Sequence, residues 1–103
     1  VPSNARTKIV HRLYGFSGHP SSGNRYDLTI TDQGSSKLVG FVPAGQRAKL
    51  TRVIRYHDIG ITWEQLEGEI NFKGTAYPFT FDLGTSAYPN KWKFIFESFE
   101  AVE

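Results

Sequence analysis

Two arginines, a histidine and two glutamates near the middle of this chain are the residue types for proton-transfer chemistry on a phosphate. Arg52, Arg55 and His57 fall in one stretch, and Glu67 and Glu69 in the next. A ribonuclease-like site needs a His and a Glu to exchange protons and an Arg to hold the phosphate. The set has low specificity, because almost any basic domain of 103 residues supplies it. His57-Asp58 reads equally well as a turn in which the carboxylate accepts from local backbone donors. The other histidines stand apart, His11 on an apolar strand face and His19 in a Gly/Ser loop. No catalytic residue is assigned on this basis. A small ribonuclease-like enzyme centred on His57 and Glu67 stays as an alternative.

Other chemistries lack their residues. Cysteine is absent, which removes disulfides, zinc–thiolate sites and thiol nucleophiles. There is no HExxH pair and no acidic calcium loop, since Asp27, Asp32, Asp58 and Asp82 are scattered. No GxSxG elbow and no phosphate-cradling glycine loop is present. The sequence calls for no metal and no cofactor.

Charge raises a second class. The isoelectric point is about 9.0, and residues 1–57 hold nine Lys/Arg against Asp27 and Asp32. Residues 58–103 reverse this, with Lys73, Lys91 and Lys93 against eight acids. Arg47, Lys49 and Arg55 share strand parity and would line one face. A single-strand nucleic-acid binder would add stacking aromatics to that face, but Tyr56 has the opposite parity. Nucleic acid is therefore disfavoured. The charges read as a solvated face that guards the strand from edge pairing.

Aromatic residues carry the remaining signal. Ten of the fifteen lie between Trp63 and Phe99. Phe79 and Phe81 alternate in one segment, Trp92, Phe94 and Phe96 in another, and the latter set reads as core. Between them runs a turn-rich stretch ending Tyr88-Pro89-Asn90-Lys91-Trp92-Lys93. Rings beside lysines suit lipid headgroups, and rings beside Asn suit sugars, whose apolar faces stack while the amide bonds hydroxyls. The ligand-binding set is Tyr88, Asn90, Lys91 and Trp92, with Trp63 joining if its loop shares that end of the molecule. The competing reading of Trp92 is burial, from its parity with Phe94 and Phe96.

The elements that must position these residues are strands. Thr7–Phe16, Arg25–Asp32, Lys37–Val42, Arg47–Tyr56, a stretch from about Leu66 to Phe72, Thr75–Leu83 and Lys93–Phe99 all alternate. Thr62 could open a helix instead, but Gly68 and the alternation of Glu69–Phe72 favour a strand. Lys73-Gly74 fits a tight hairpin, and Pro78 marks an edge position or a bulge. Ser17–Asn24 is a Gly/Ser/Pro loop. No helix is expected. The fold class is all-β, a single antiparallel β-sandwich or barrel of seven to eight strands.

Gly68-Glu69-Ile70-Asn71-Phe72, Phe79-Thr80-Phe81 and the loop into Asn90-Lys91-Trp92 resemble, at the level of pattern, the actinoporin-like β-sandwiches, which include fungal fruit-body lectins and aegerolysins. Thr29–Asp32 and the Pro43-Ala44-Gly45 turn fit the same layout, about 60 residues in all. That resemblance implies recognition of glycans or membrane lipids without catalysis. No apolar run reaches the ~18 residues of a membrane span, and the chain opens at Val1-Pro2 with no methionine, which reads as a mature secreted chain. The expectation is a secreted, non-enzymatic module that binds a glycan or membrane lipid through aromatic loops. A protein-binding effector or inhibitor using a sheet edge or Ser17–Asn24 is the other alternative. Nothing in the sequence sets the oligomeric state.

Overall fold

Eight strands share one sheet. The computed structural model describes residues 3–16, 26–31, 37–85 and 91–102. In chain order these form β1 (Asn4–Thr7), β2 (His11–Phe16), β3 (Leu28–Thr31), β4 (Lys37–Val42), β5 (Arg47–Asp58), β6 (Ile61–Phe72), β7 (Thr75–Thr85), the helix α1 (Lys91–Ser98) and β8 (Phe99–Ala101). Their order across the sheet is β4-β2-β3-β7-β6-β5-β1-β8.

The all-β expectation holds, with two corrections. First, β2 and β3 run parallel, Leu13 opposite Leu28, so the sheet is mixed rather than wholly antiparallel. Second, the expected last strand, Lys93–Phe99, is mostly the helix α1. The alternation of Trp92, Phe94 and Phe96 was the only strand signal there. Helical spacing instead pairs Trp92 with Phe96 and Lys93 with Glu97, and puts Ile95, Ser98 and Phe99 together on the buried side.

Register explains the core. An inward row of Gly40, Leu13, Leu28, Phe81, Leu66 and Val53 crosses β4, β2, β3, β7, β6 and β5. The adjacent outward row is Leu38, Tyr14, Thr29, Thr80, Glu67 and Arg52. Alternation along each strand therefore separates an apolar side from a mostly polar one. The sheet also curls. An ideal Cβ on Gly40 would lie 2.8 Å from the Phe72 ring, although β4 and β6 are four spacings apart, about 19 Å in a flat sheet at ~4.8 Å per strand. Only a sheet rolled toward a half-barrel brings those positions together.

Turns and irregularities match their residues. Lys73 and Gly74 both have positive φ, 52° and 81°, as a two-residue turn between long strands requires. β6 extends back to Ile61, so Thr62 starts no helix. Pro78 is opposite Glu69, beyond the positions where β3 pairs with β7, Leu28–Phe81 and Thr29–Thr80. Its missing N–H falls where β7 is locally an edge.

Candidate functional site

Exposed large apolar side chains occur at Val10, at Leu38 and Phe41 of β4, and on two further elements, α1 and the β5–β6 hairpin. α1 turns Ile95 and Ser98 inward and leaves Trp92 43% and Phe96 58% exposed. Those two rings stack one helical turn apart, centroids 6.3 Å and planes 27°. Beside them Lys93 and Glu97 form an exposed i,i+4 pair at 3.8 Å. The helix end is closed by Lys8, whose backbone N–H donates to the Ser98 carbonyl and whose ammonium donates to the Phe96 carbonyl, both at 2.8 Å. Sequence parity had placed Phe96 in the core and weighed the same for Trp92. The helix overturns both, because residues two apart do not share a helical face.

The second element is the β5–β6 hairpin. Its turn, Ile59-Gly60, leaves Ile59 97% exposed, and Ile61 follows at 56%. Gly60 supplies the positive φ of 72° that the turn needs. Below the tip, Trp63 is half-buried and stacks on Tyr56 across the two strands at 5.6 Å and 18°. Trp63 is directly opposite Thr85, the last residue of β7. The chain therefore departs toward α1 from a point beside Trp63. Tyr88 and Asn90 lie outside the described residues, and Lys91 is placed by its backbone as the first residue of α1. Of the expected ligand-binding set, Trp92 is on an exposed helical face and Trp63 forms a cross-strand stack at the hairpin end.

Set against family models, curated proteins and solved structures, the chain matches none.

The acid–base set does not assemble. His57 is opposite Thr62, with Nδ1 at 3.0 Å from its hydroxyl. Glu67 lies further along β6, about 16 Å from Thr62 at ~3.3 Å per residue. Glu67 instead accepts from Arg52 Nε at 2.9 Å, and Arg55 pairs with the largely buried Glu64 at 3.6 Å. His57 and Asp58 belong to β5, not to the turn. Among the described residues no group of three His, Asp or Glu is arranged to hold a metal ion.

The basic strand is likewise matched by its neighbour. A bulge at Thr51, between Leu50 and Arg52, reverses the parity of β5. Lys49 then faces Glu69 and Arg52 faces Glu67 on one side, while Arg55 faces Glu64 on the other. The expected row of Arg47, Lys49 and Arg55 is thus broken, and the charge contrast between the two halves of the chain is met by cross-strand pairing.

The third chemistry-bearing residue, His11, is fully buried. Burial lowers its pKa from the ordinary value, opposed by the Tyr26 and Ser98 carbonyls and by Asp27.

Sequence reasoning missed Ile59, Ile61 and Phe96. The signal for Ile59 was available: an isoleucine beside Gly60 in a turn between two strands has no core to enter.

Proposed function

We propose that this protein is a non-enzymatic recognition module that meets the interfacial region of a lipid membrane. The observation that carries the reading is Ile59, an aliphatic side chain 97% exposed at a hairpin tip. Ile61 follows it, and the Tyr56–Trp63 stack lies beneath it. An exposed isoleucine contributes nothing to folding by burial, and it gains free energy when it enters an acyl boundary. Trp92 and Phe96 with Lys93 add the ring-plus-ammonium combination that suits headgroups. A secreted setting is part of the same proposal, as is the pattern-level resemblance to actinoporin-like proteins.

Cosedimentation with phosphatidylcholine vesicles, with and without an anionic lipid, tests it. Binding should be accompanied by a blue shift of Trp92 fluorescence in a Trp63→Phe variant. Absence of binding to both compositions overturns the proposal. A glycan ligand is the second reading, favoured by the Trp92–Phe96 platform, on which a sugar face could stack. It predicts glycan-array binding that is lost with Trp92→Ala and leaves vesicles unbound.

A further inference from the structure

We propose that β4 pairs antiparallel with β4 of a second copy of this chain, joining two curled sheets edge to edge in a two-fold dimer. β4 ends the strand order, and among the described residues no strand lies along its outer edge. That edge presents a row of backbone N–H and C=O groups of the kind an extended strand completes. The usual devices that blunt an edge are missing along its length. Lys37–Val42 has six residues, no proline and no charge after Lys37. The opposite edge of the sheet differs: β8 has three residues, with Glu100 at its centre.

Register shows why the same strand fits there. Gly40 is opposite Leu13 and Leu38 is opposite Tyr14, so Val39 is an extra, bulged residue. The bulge turns Leu38 to the outward face that Phe41, opposite Arg12, already occupies. In a regular strand, residues three apart point to opposite faces. Leu38 is 41% and Phe41 59% exposed, at the end of an outward face that is otherwise mostly polar. Opposed residues of an antiparallel pair share a face. The two-fold register that uses all of β4 sets Lys37 against Val42 of the second copy, and Leu38 against its Phe41. A strictly alternating strand of six residues cannot pair with itself in this way, because its two ends face opposite sides. The bulge removes that conflict. Lys37 and Val42 are both inward, opposite Gly15 and His11, while Leu38 and Phe41 are both outward. At the centre Val39 meets Gly40, which brings no side chain.

Charge does not oppose the pairing. Lys37 is the one charged residue of β4. In this register its two copies are about 16 Å apart along the strands, at ~3.3 Å per residue, beyond a Debye length of about 8 Å. Arg12, opposite Phe41 on β2, is held by Asp27, Nε to Oδ1 at 3.0 Å. Leu38 and Phe41 then leave water against each other, twice per dimer. A bulge can twist an edge out of pairing, but a two-fold axis brings two identical bulges together, and their twists match. The pairing needs no lipid, so it stands or falls separately from the function proposed above.

Cross-linking tests the register on the full chain, which has no cysteine of its own. Leu38→Cys mixed with Phe41→Cys should give a disulfide-linked dimer under mild oxidation, because directly opposed Cα atoms lie about 4.5–5.5 Å apart. Either variant alone should not, since its two cysteines are then about 10 Å apart along the strands. Sedimentation equilibrium of the unaltered protein, from about 1 μM to 1 mM, should show monomer and dimer in exchange. Phe41→Lys should raise the dissociation constant about a hundredfold, tenfold for each of two symmetric contacts, while the far-UV spectrum stays the same. A monomer throughout that range overturns the proposal, whether or not it takes up an added extended peptide at β4. The proposal also fails if the dimer is unaffected by Phe41→Lys, or if the mixture cross-links no better than either variant alone.

Discussion

Replacing Ile59 by serine separates the proposed vesicle binding from folding. With 97% of the residue exposed, the side chain buries almost no surface in the folded protein, and the turn's positive φ belongs to Gly60. Folding stability should therefore move by no more than ~0.5 kcal/mol, the range of surface substitutions. Full burial of an isoleucine side chain yields ~1.5–3 kcal/mol. Seating at a membrane interface should realise about 2 kcal/mol of this, close to a 30-fold change in partition coefficient. The assay pairs vesicle cosedimentation with urea denaturation on the same preparation. A 30-fold loss of vesicle binding at constant urea midpoint is expected. Unchanged vesicle affinity in Ile59→Ser would refute the assignment of the hairpin tip as the inserting element. A lowered urea midpoint would show that the side chain has contacts its exposure denies.

Other substitutions test the fold that carries this surface. Gly68→Ala places a Cβ 2.5 Å from the Phe79 ring and 2.6 Å from the Lys49 carbonyl oxygen. The ring can move and the backbone cannot, so denaturant unfolding should show a loss of about 2–3 kcal/mol, outweighing Ala's gain in chain entropy. Gly60→Ala meets nothing within 4 Å but inherits a φ of 72°, and should cost about 1 kcal/mol in thermal unfolding, recovered in part by Gly60→Asn. In a double-mutant cycle, the exposed Arg52–Glu67 pair should couple by under ~1 kcal/mol and weaken with salt.

Where register and burial reinforced each other, the sequence was readable. Leu13, Leu28, Ile30, Phe79 and Phe81 alternate with polar residues and are all buried, because a strand with one wet face leaves its apolar residues a single destination. The Lys73-Gly74 turn was legible for a local reason, since few dipeptides accept two positive φ angles. The basic strand was not legible past Thr51. One bulged residue reverses every later side chain, and no residue type in Leu50-Thr51-Arg52 announces it. The parallel β2–β3 pair was equally hidden, because alternation reads the same for either strand direction.

The helix is the error with functional consequences. Trp92, Phe94, Ile95, Phe96 and Phe99 satisfy period two through 92, 94 and 96, and a helical period through 95 and 99. In so short a window neither pattern excludes the other, and tertiary context decides. The two periods assign opposite fates to the same rings. Read as a strand, Trp92 and Phe96 are core and the surface holds little beyond Tyr88. Read as a helix, Phe99 enters the core against His11 while Trp92 and Phe96 stack outside it. Lys8 supports the helical choice by satisfying the carbonyls of Phe96 and Ser98, which a short helix would otherwise leave bare. The exposed rings and the buried Ile95 are thus two sides of one helix.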